Sequence, residues 1–168
     1  MNTPDTTAPE LRRIHRQFAL TNLNQAYADC LDQGAMAQWP DFFAADGVYR
    51  AQGRENFDRG LPLAAIWCDG RGMLEDRVTV ITKIMVYAPR SMRHVVAPPQ
   101  IVDEQESWLR ARASFCVFHT LPHEPTVLLA AGRYEDKITF DQAGAMRFQE
   151  RNAVYDSVLI PNSLVYPL

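Results

Sequence analysis

The sequence predicts an α+β fold, with helices packed on one face of a strongly curved, mixed and mostly antiparallel sheet. Three observations lead there. Helical periodicity is concentrated in the first half of the 168 residues. Period-two alternation fills the second half in four successive runs. The breaks between those runs are short, as connections between antiparallel strands are.

The first helix is announced by Thr7 and Glu10 as a capping box and by Pro9 in the first turn. Leu20, Leu23, Tyr27 and Leu31 then recur at helical spacing until Gly34 stops the run. A second, short helix is expected over Ala35 to Phe43, distorted by Pro40, which has no N–H to donate. Short strands are expected at Gly47 to Gln52 and at Leu63 to Cys68. From Met73 to Met85 the period is helical again: Leu74, Val78, Ile81 and Met85 share one face, while Glu75 and Lys83 point to solvent. Four strands follow, Ser91 to Asp103, Ser107 to Thr120, Val127 to Phe140 and Ala145 to Val158, the last two forming a hairpin across Asp141-Gln142-Ala143-Gly144. Helices first and a long antiparallel meander last is the order of the cone-shaped, cystatin-like folds of the nuclear transport factor 2 and ketosteroid isomerase type. Such a cone holds a catalytic pocket in some proteins and is filled with side chains in others.

A chain of this length with 47% hydrophobic residues can bury on the order of 70% of its unfolded surface around one core. No repeat or Gly/Ser linker divides it, so residues 1–168 read as one domain. The formal charge of −3, without basic runs, argues against nucleic acid or an anionic membrane as partner. The polar start and the lack of a spanning apolar run suggest a cytoplasmic protein. Cys30, Cys68 and Cys116 have no paired spacing and read as small core residues.

The chemical candidates are few. Cys116 and His119 would point to opposite faces of a strand and cannot chelate one ion from regular geometry. His119, His123 and Glu124 flank a Leu-Pro turn where polar residues are expected. No Gly-x-Ser-x-Gly elbow is present, and Gly70-Arg71-Gly72 lacks the remainder of a phosphate loop. The enzymatic alternative is a stand-alone isomerase or dehydratase drawing an Asp/His acid–base pair from Asp29, Tyr27, Asp76, His94 and Tyr49 in the cone. Against it stands a plainer arrangement: Asp76 pairs with Arg77 or Arg93, and the tyrosines are core. Arg77 lies beside Leu74, Val78 and Ile81, so its guanidinium should be partly buried and need carboxylates or carbonyls. Trp39, Phe42 and Phe43 read as core. The end of the chain, Ile160 to Leu168, is apolar and stiffened by two prolines, so it must lie against this core or another subunit.

Together WPDFF with Tyr49-Arg50, RENFDRGLPL, GMLEDRV, Arg93-His94, RNAVYDS from Arg151 to Ser157 and the ending IPNSLVYPL resemble the small (β) subunit of Rieske-type aromatic-ring-hydroxylating dioxygenases. The likeness runs from about Gln25 to Leu168. RENF-x-x-GLPL and IPNS-x-x-YP are most similar to the small oxygenase component of salicylate 5-hydroxylase, and less so to terephthalate and halobenzoate dioxygenase small subunits. The resemblance implies an α3β3 or related hexamer whose large (α) subunit carries the Rieske [2Fe-2S] cluster and a mononuclear iron. Electrons would come from NAD(P)H through a reductase and ferredoxin. No cofactor or metal would bind here and no residue would be catalytic. The chain lacks the Cys-x-His and Cys-x-x-His pair of a Rieske centre. The role left to it is structural, with Arg77, Arg93, His94, Leu164, Tyr166 and Leu168 assigned to packing or subunit contact.

Overall fold

A computed structural model describes residues 7–85, 88–157, 160 and 164–168, with side chains from Glu10 onward. The capping side chain of Thr7 and the strand end at Val158 fall outside these residues. Helix α1 (Thr7–Asp32) buries Leu20, Leu23, Tyr27 and Leu31, the four positions that helical spacing singled out. It stops at Gly34, which adopts φ +67, a conformation that costs glycine little. The short helix expected next is a 3-10 helix, Met36–Phe42, because Pro40 within it cannot donate to a regular α-helical ladder. It places Trp39 in the core and leads directly into β1 (Phe43–Gly53), which is longer than the alternation alone suggested.

A five-residue helix, α2 (Arg54–Asp58), follows; periodicity gave no sign of it. Strand β2 (Ile66–Asp69) is shorter than expected, and α3 (Gly70–Thr79) starts three residues early. The run expected to be one helix to Met85 ends in a widened π turn, Val80–Ile84. Its apolar face is nevertheless the predicted one, with Leu74 and Ile81 buried and Val78 and Met85 packed against the core.

The strand expected from Ser91 to Asp103 is broken into β3 (Ser91–Val96) and β4 (Gln100–Glu104). The break is Ala97-Pro98-Pro99, where two residues without N–H interrupt the ladder. Both pieces pair antiparallel with β5 (Trp108–Thr120), itself paired with β6 (Val127–Phe140) and that in turn with β7 (Met146–Tyr155). The hairpin between β6 and β7 closes as anticipated: the Asp141 carboxylate accepts from the N–H groups of Ala143 and Ala145 at 3.0 and 2.9 Å, and Gly144 takes φ +80. The sheet order is β2-β1-β7-β6-β5-β3, with β4 also on β5. Only β1 and β7 run parallel among these pairs, so the sheet is mixed and mostly antiparallel. Helices α1 and α3 cover one face, and the core lies between them and the sheet. The polar face of the sheet carries an ion-pair ladder in which Glu135 binds Arg112 and Arg133, each at 2.7 Å.

Gly132 of β6 stands opposite Tyr155 of β7. A Cβ there would lie 2.0 Å from the Val154 carbonyl oxygen and 2.8 Å from Tyr155 Cα, both backbone atoms that cannot swing aside. Gly132→Ala is therefore expected to destabilise the fold by about 1–3 kcal/mol, the usual cost of forcing atoms into a packed site. Urea unfolding would read this as a lower midpoint at an unchanged slope.

Candidate functional site

The centre of the cone is built on an irregularity in β7. Ile138 faces Phe148, but the next pair is Lys137 with Glu150, so Gln149 is an extra residue. Such a bulge reverses the inward–outward phase of the strand beyond it. Phe148 points in before the bulge; after it Arg151 and Ala153 do. Unbroken alternation from Phe148, without the bulge, would turn Arg151 to solvent.

Arg151 is fully buried and stands directly opposite Asp136. Its Nε and Nη2 donate to the two oxygens of that carboxylate at 3.1 and 3.0 Å, and Nη2 also donates to Asn24 Oδ1 of α1. The guanidinium carbon lies 3.8 Å from the Tyr134 ring centre, 3.9 Å from Phe148 and 4.2 Å from Tyr27. One cation thus joins β7, β6 and α1 through hydrogen bonds and ring faces. Burial raises the Asp136 pKa above the usual carboxylate range, and Arg151 pulls it back. For Arg151 burial alone would lower the pKa, but Asp136 and the tyrosine hydroxyls raise it, so the guanidinium stays charged.

Around this pair the cone is filled. Trp39, Phe43 and Tyr49 pack edge to face at centroid separations of 5.2–6.2 Å, and Phe115 stacks on Tyr134 at 4.5 Å. Leu168 seals the group: it is fully buried, its N–H donates to the Tyr49 hydroxyl at 2.8 Å, and its main-chain oxygen accepts from Tyr27 at 3.1 Å and Tyr49 at 3.4 Å. Arg77 holds the approach, donating from Nη2 to the carbonyls of Leu164 and Val165 at 3.2 and 2.5 Å. Leu164 and Tyr166 are half-buried, and the Arg90 guanidinium lies over the Tyr166 ring at 5.9 Å. The tail thus lies on this chain's own core; residues 161–163 of its motif fall outside the described residues.

The acid–base set drawn from the sequence is not assembled. Asp29 and Asp76 are exposed, whereas Tyr27 and Tyr49 are consumed by the plug. Nor does Asp76 pair with Arg77 or Arg93: Arg77 binds carbonyls, and the largely exposed Arg93 lies 3.5 Å from Asp32. Asp32, which periodicity did not single out, is the partner of His94. Its carboxylate accepts the His94 backbone N–H at 3.0 Å and lies 2.6 Å from Nδ1, while the buried Nε2 has no partner among the described residues. Cys116 is half-buried and His119 buried, on opposite faces of β5. No three His, Cys, Asp or Glu side chains among the described residues are grouped to hold a metal ion.

Residues 26–162 match the ring-hydroxylating beta subunit family. The chain belongs to that family. As a beta subunit it is 33% identical over 152 residues to a terephthalate 1,2-dioxygenase terminal oxygenase beta subunit of a Comamonas species, covering 90% of this chain and 98% of the relative. It is 26% identical to the anthranilate 1,2-dioxygenase small subunit of Burkholderia cepacia, over 90% and 93% of the two chains. A solved beta subunit ascribed to an aromatic-ring-hydroxylating dioxygenase of Novosphingobium aromaticivorans is 34% identical and superposes with a TM-score of 0.84, covering 93% of this chain and 99% of that one. The beta-subunit fold is the cone-shaped, nuclear transport factor 2-like architecture expected from element order.

Arg151 and Asp136 are the site residues that sequence reasoning missed. The available signal was an arginine flanked by Phe148 and Ala153, but only a bulge makes that spacing inward-facing. Two outcomes are expected. Asp136→Asn leaves a buried guanidinium without its counter-charge and should cost about 3–5 kcal/mol, whereas an apolar double replacement, Asp136→Leu with Arg151→Met, should cost much less than the sum of the single changes. A double-mutant cycle in urea measures that coupling. Burial also pushes the Tyr27 pKa up to about 12 and raises those of Tyr49 and Tyr134 well above the ordinary tyrosine range. The unfolded chain releases these protons near pH 10 and the folded chain does not, so stability is intact below about pH 10 and falls as pH rises further. Tyrosinate absorbance is expected to show part of the six tyrosines ionising only with unfolding.

Proposed function

We propose that this chain is the non-catalytic small subunit of a Rieske oxygenase, bracing an α3β3 or related hexamer in which the large subunit performs the chemistry. The observation that carries this reading is the closed cone. In a stand-alone enzyme of this shape the interior is where substrate would bind; here Trp39, Tyr27, Tyr49, Tyr134, Phe115, Phe148 and Leu168 occupy it and the Arg151–Asp136 pair is closed on itself. The large subunit would supply the Rieske [2Fe-2S] cluster and mononuclear iron, fed from NAD(P)H through a reductase and ferredoxin, in the cytoplasm. Substrates of this complex are aromatic carboxylates: the relatives act on terephthalate and anthranilate by name, and the RENF-x-x-GLPL and IPNS-x-x-YP segments point to a salicylate 5-hydroxylase branch. In this reading Arg77, Leu164, Tyr166 and Leu168 fix the tail, and Arg93 and His94 fix the end of α1, so that the surfaces offered to neighbouring subunits are rigid.

A second reading, isomerase or dehydratase, has one observation in its favour, the His94–Asp32 pair. The cavity lined by His94, Asn24, Asp29 and Pro98 encloses about 170 Å³, below the ~300–1,000 Å³ of typical small-molecule sites.

Co-expression with the cognate large subunit tests the proposal. The wild-type chain is expected to co-purify with it as a hexamer, and Arg77→Ala or deletion of Leu164–Leu168 to lower the yield of hexamer. Loss of the Leu168 side chain alone resembles a large-to-small core change of about 2–5 kcal/mol. Undiminished hexamer from both variants would reject the role given to the tail, and no co-purification by the wild type would reject the subunit assignment.

A further inference from the structure

Helix α1 is about 39 Å long at 1.5 Å per residue, but of its described side chains, from Glu10 onward, Leu20 is the first that is buried. From Glu10 to His15 every side chain is exposed. The first half is tied down from one side, where Arg16 donates to Glu104 at 2.8 Å and to the Gln105 and Glu106 carbonyls, and Gln17 donates to the Pro99 carbonyl. A few turns of helix gain little stability in water without a packed face. Yet this segment carries an apolar stripe: Leu11, Ile14 and Phe18 are 53%, 56% and 67% exposed at helical spacing.

Beside the stripe, and sharing Leu11 with it, runs a groove of about 1070 Å³ between α1 and the β6–β7 turn, with Leu23, Phe42, Phe140 and Met146 in its walls. Most of the charge lining the groove is paired. Arg16 is paired with Glu104, Arg147 with Asp141 and Asp41 with Arg71. Three charged side chains on the exposed arm have no ion-pair partner among the described residues: Arg12 at the groove, Arg13 on the side facing Asp103 and Glu104, and Glu10. The surplus is basic. A second copy of the same helix would bring the same surplus, and like charges facing across an interface oppose association. An acidic segment with apolar anchors meets both features.

We propose that the first half of α1 and its groove form a docking surface for an acidic, apolar-anchored segment of the large oxygenase subunit. This rests on the subunit assignment above and names one contact within it.

The test uses the full chain with its large subunit and two variants, Ile14→Asp with Phe18→Asp, and Arg12→Glu with Arg13→Glu. None of these side chains is in the core, and the thermal midpoint of the isolated chain is expected to stay within a degree or two for each. The dissociation constant for the large subunit is expected to rise at least tenfold for each, and added salt to weaken wild-type binding more than that of the charge-reversed variant. Wild-type binding with both variants equal to it overturns the docking surface and leaves the subunit assignment standing; no binding by the wild type overturns both. If the variants instead abolish self-association of the isolated chain, or its binding to anionic phospholipid vesicles, while large-subunit affinity is unchanged, the occupant is a second copy or a membrane and the proposal is wrong.

Discussion

The fold depends on a charge placed where water cannot reach it. Removing a guanidinium and a carboxylate from water is costly and is offset only by close geometry, filled hydrogen bonds and surrounding polarisable groups. Arg151 and Asp136 have a two-pronged pairing across adjacent strands, a further bond to Asn24 on α1, and three ring faces within about 4 Å, leaving the buried Nη1 without a hydrogen-bond partner among the described residues. Apolar packing tolerates sliding, but a bidentate ion pair does not, so this pair fixes the register of β6 on β7 and the height of α1 above both. The aromatic set around the cation is then constrained in turn, since Tyr27, Tyr134 and Phe148 must each present a face to it.

From that constraint follows the closed cone. With rings arranged around the guanidinium, the remaining space toward the open end is taken by Trp39, Phe43 and Tyr49, and the tyrosine hydroxyls are left needing partners. The backbone of Leu168 supplies those of Tyr27 and Tyr49, and Arg77 on α3 holds the preceding carbonyls. Core, plug and latch are one connected set of contacts. A protein so filled has little interior to offer a substrate and can present stiff surfaces to other subunits, which is what a bracing role in an oxygenase asks of it.

Much of this was legible in the residues. Helical spacing placed Leu20, Leu23, Tyr27 and Leu31 on the buried face of α1, and alternation located β5 and β6 almost to their ends. The errors have local causes. Pro98-Pro99 cut one expected strand in two, and a π turn ended α3 early, each a departure from the regular period on which such reading relies. The site was harder. Arg77 was recognisable because its helical neighbours are apolar, and carboxylate or carbonyl partners were expected for it; the carbonyls are the ones found. Arg151 was not, because the extra residue Gln149 inverts the phase of β7 and makes an arginine that looks solvent-facing the most buried charge in the described chain. The partner of His94 was hidden for a different reason: Asp32 lies 62 positions away at the end of α1, and pairings of that kind appear only once the sheet has folded back on the helix.

Metal analysis and turnover assays on the separated chains of the purified oxygenase test the central claim most directly. If this beta subunit acts by shape and contact, the iron will be recovered with the large subunit, and the isolated beta chain will neither retain it nor convert an aromatic carboxylate or any carbonyl compound that a cone-shaped isomerase or dehydratase would accept. Stoichiometric iron on the isolated chain, or catalysis by it that is lost in His94→Ala, would contradict the account.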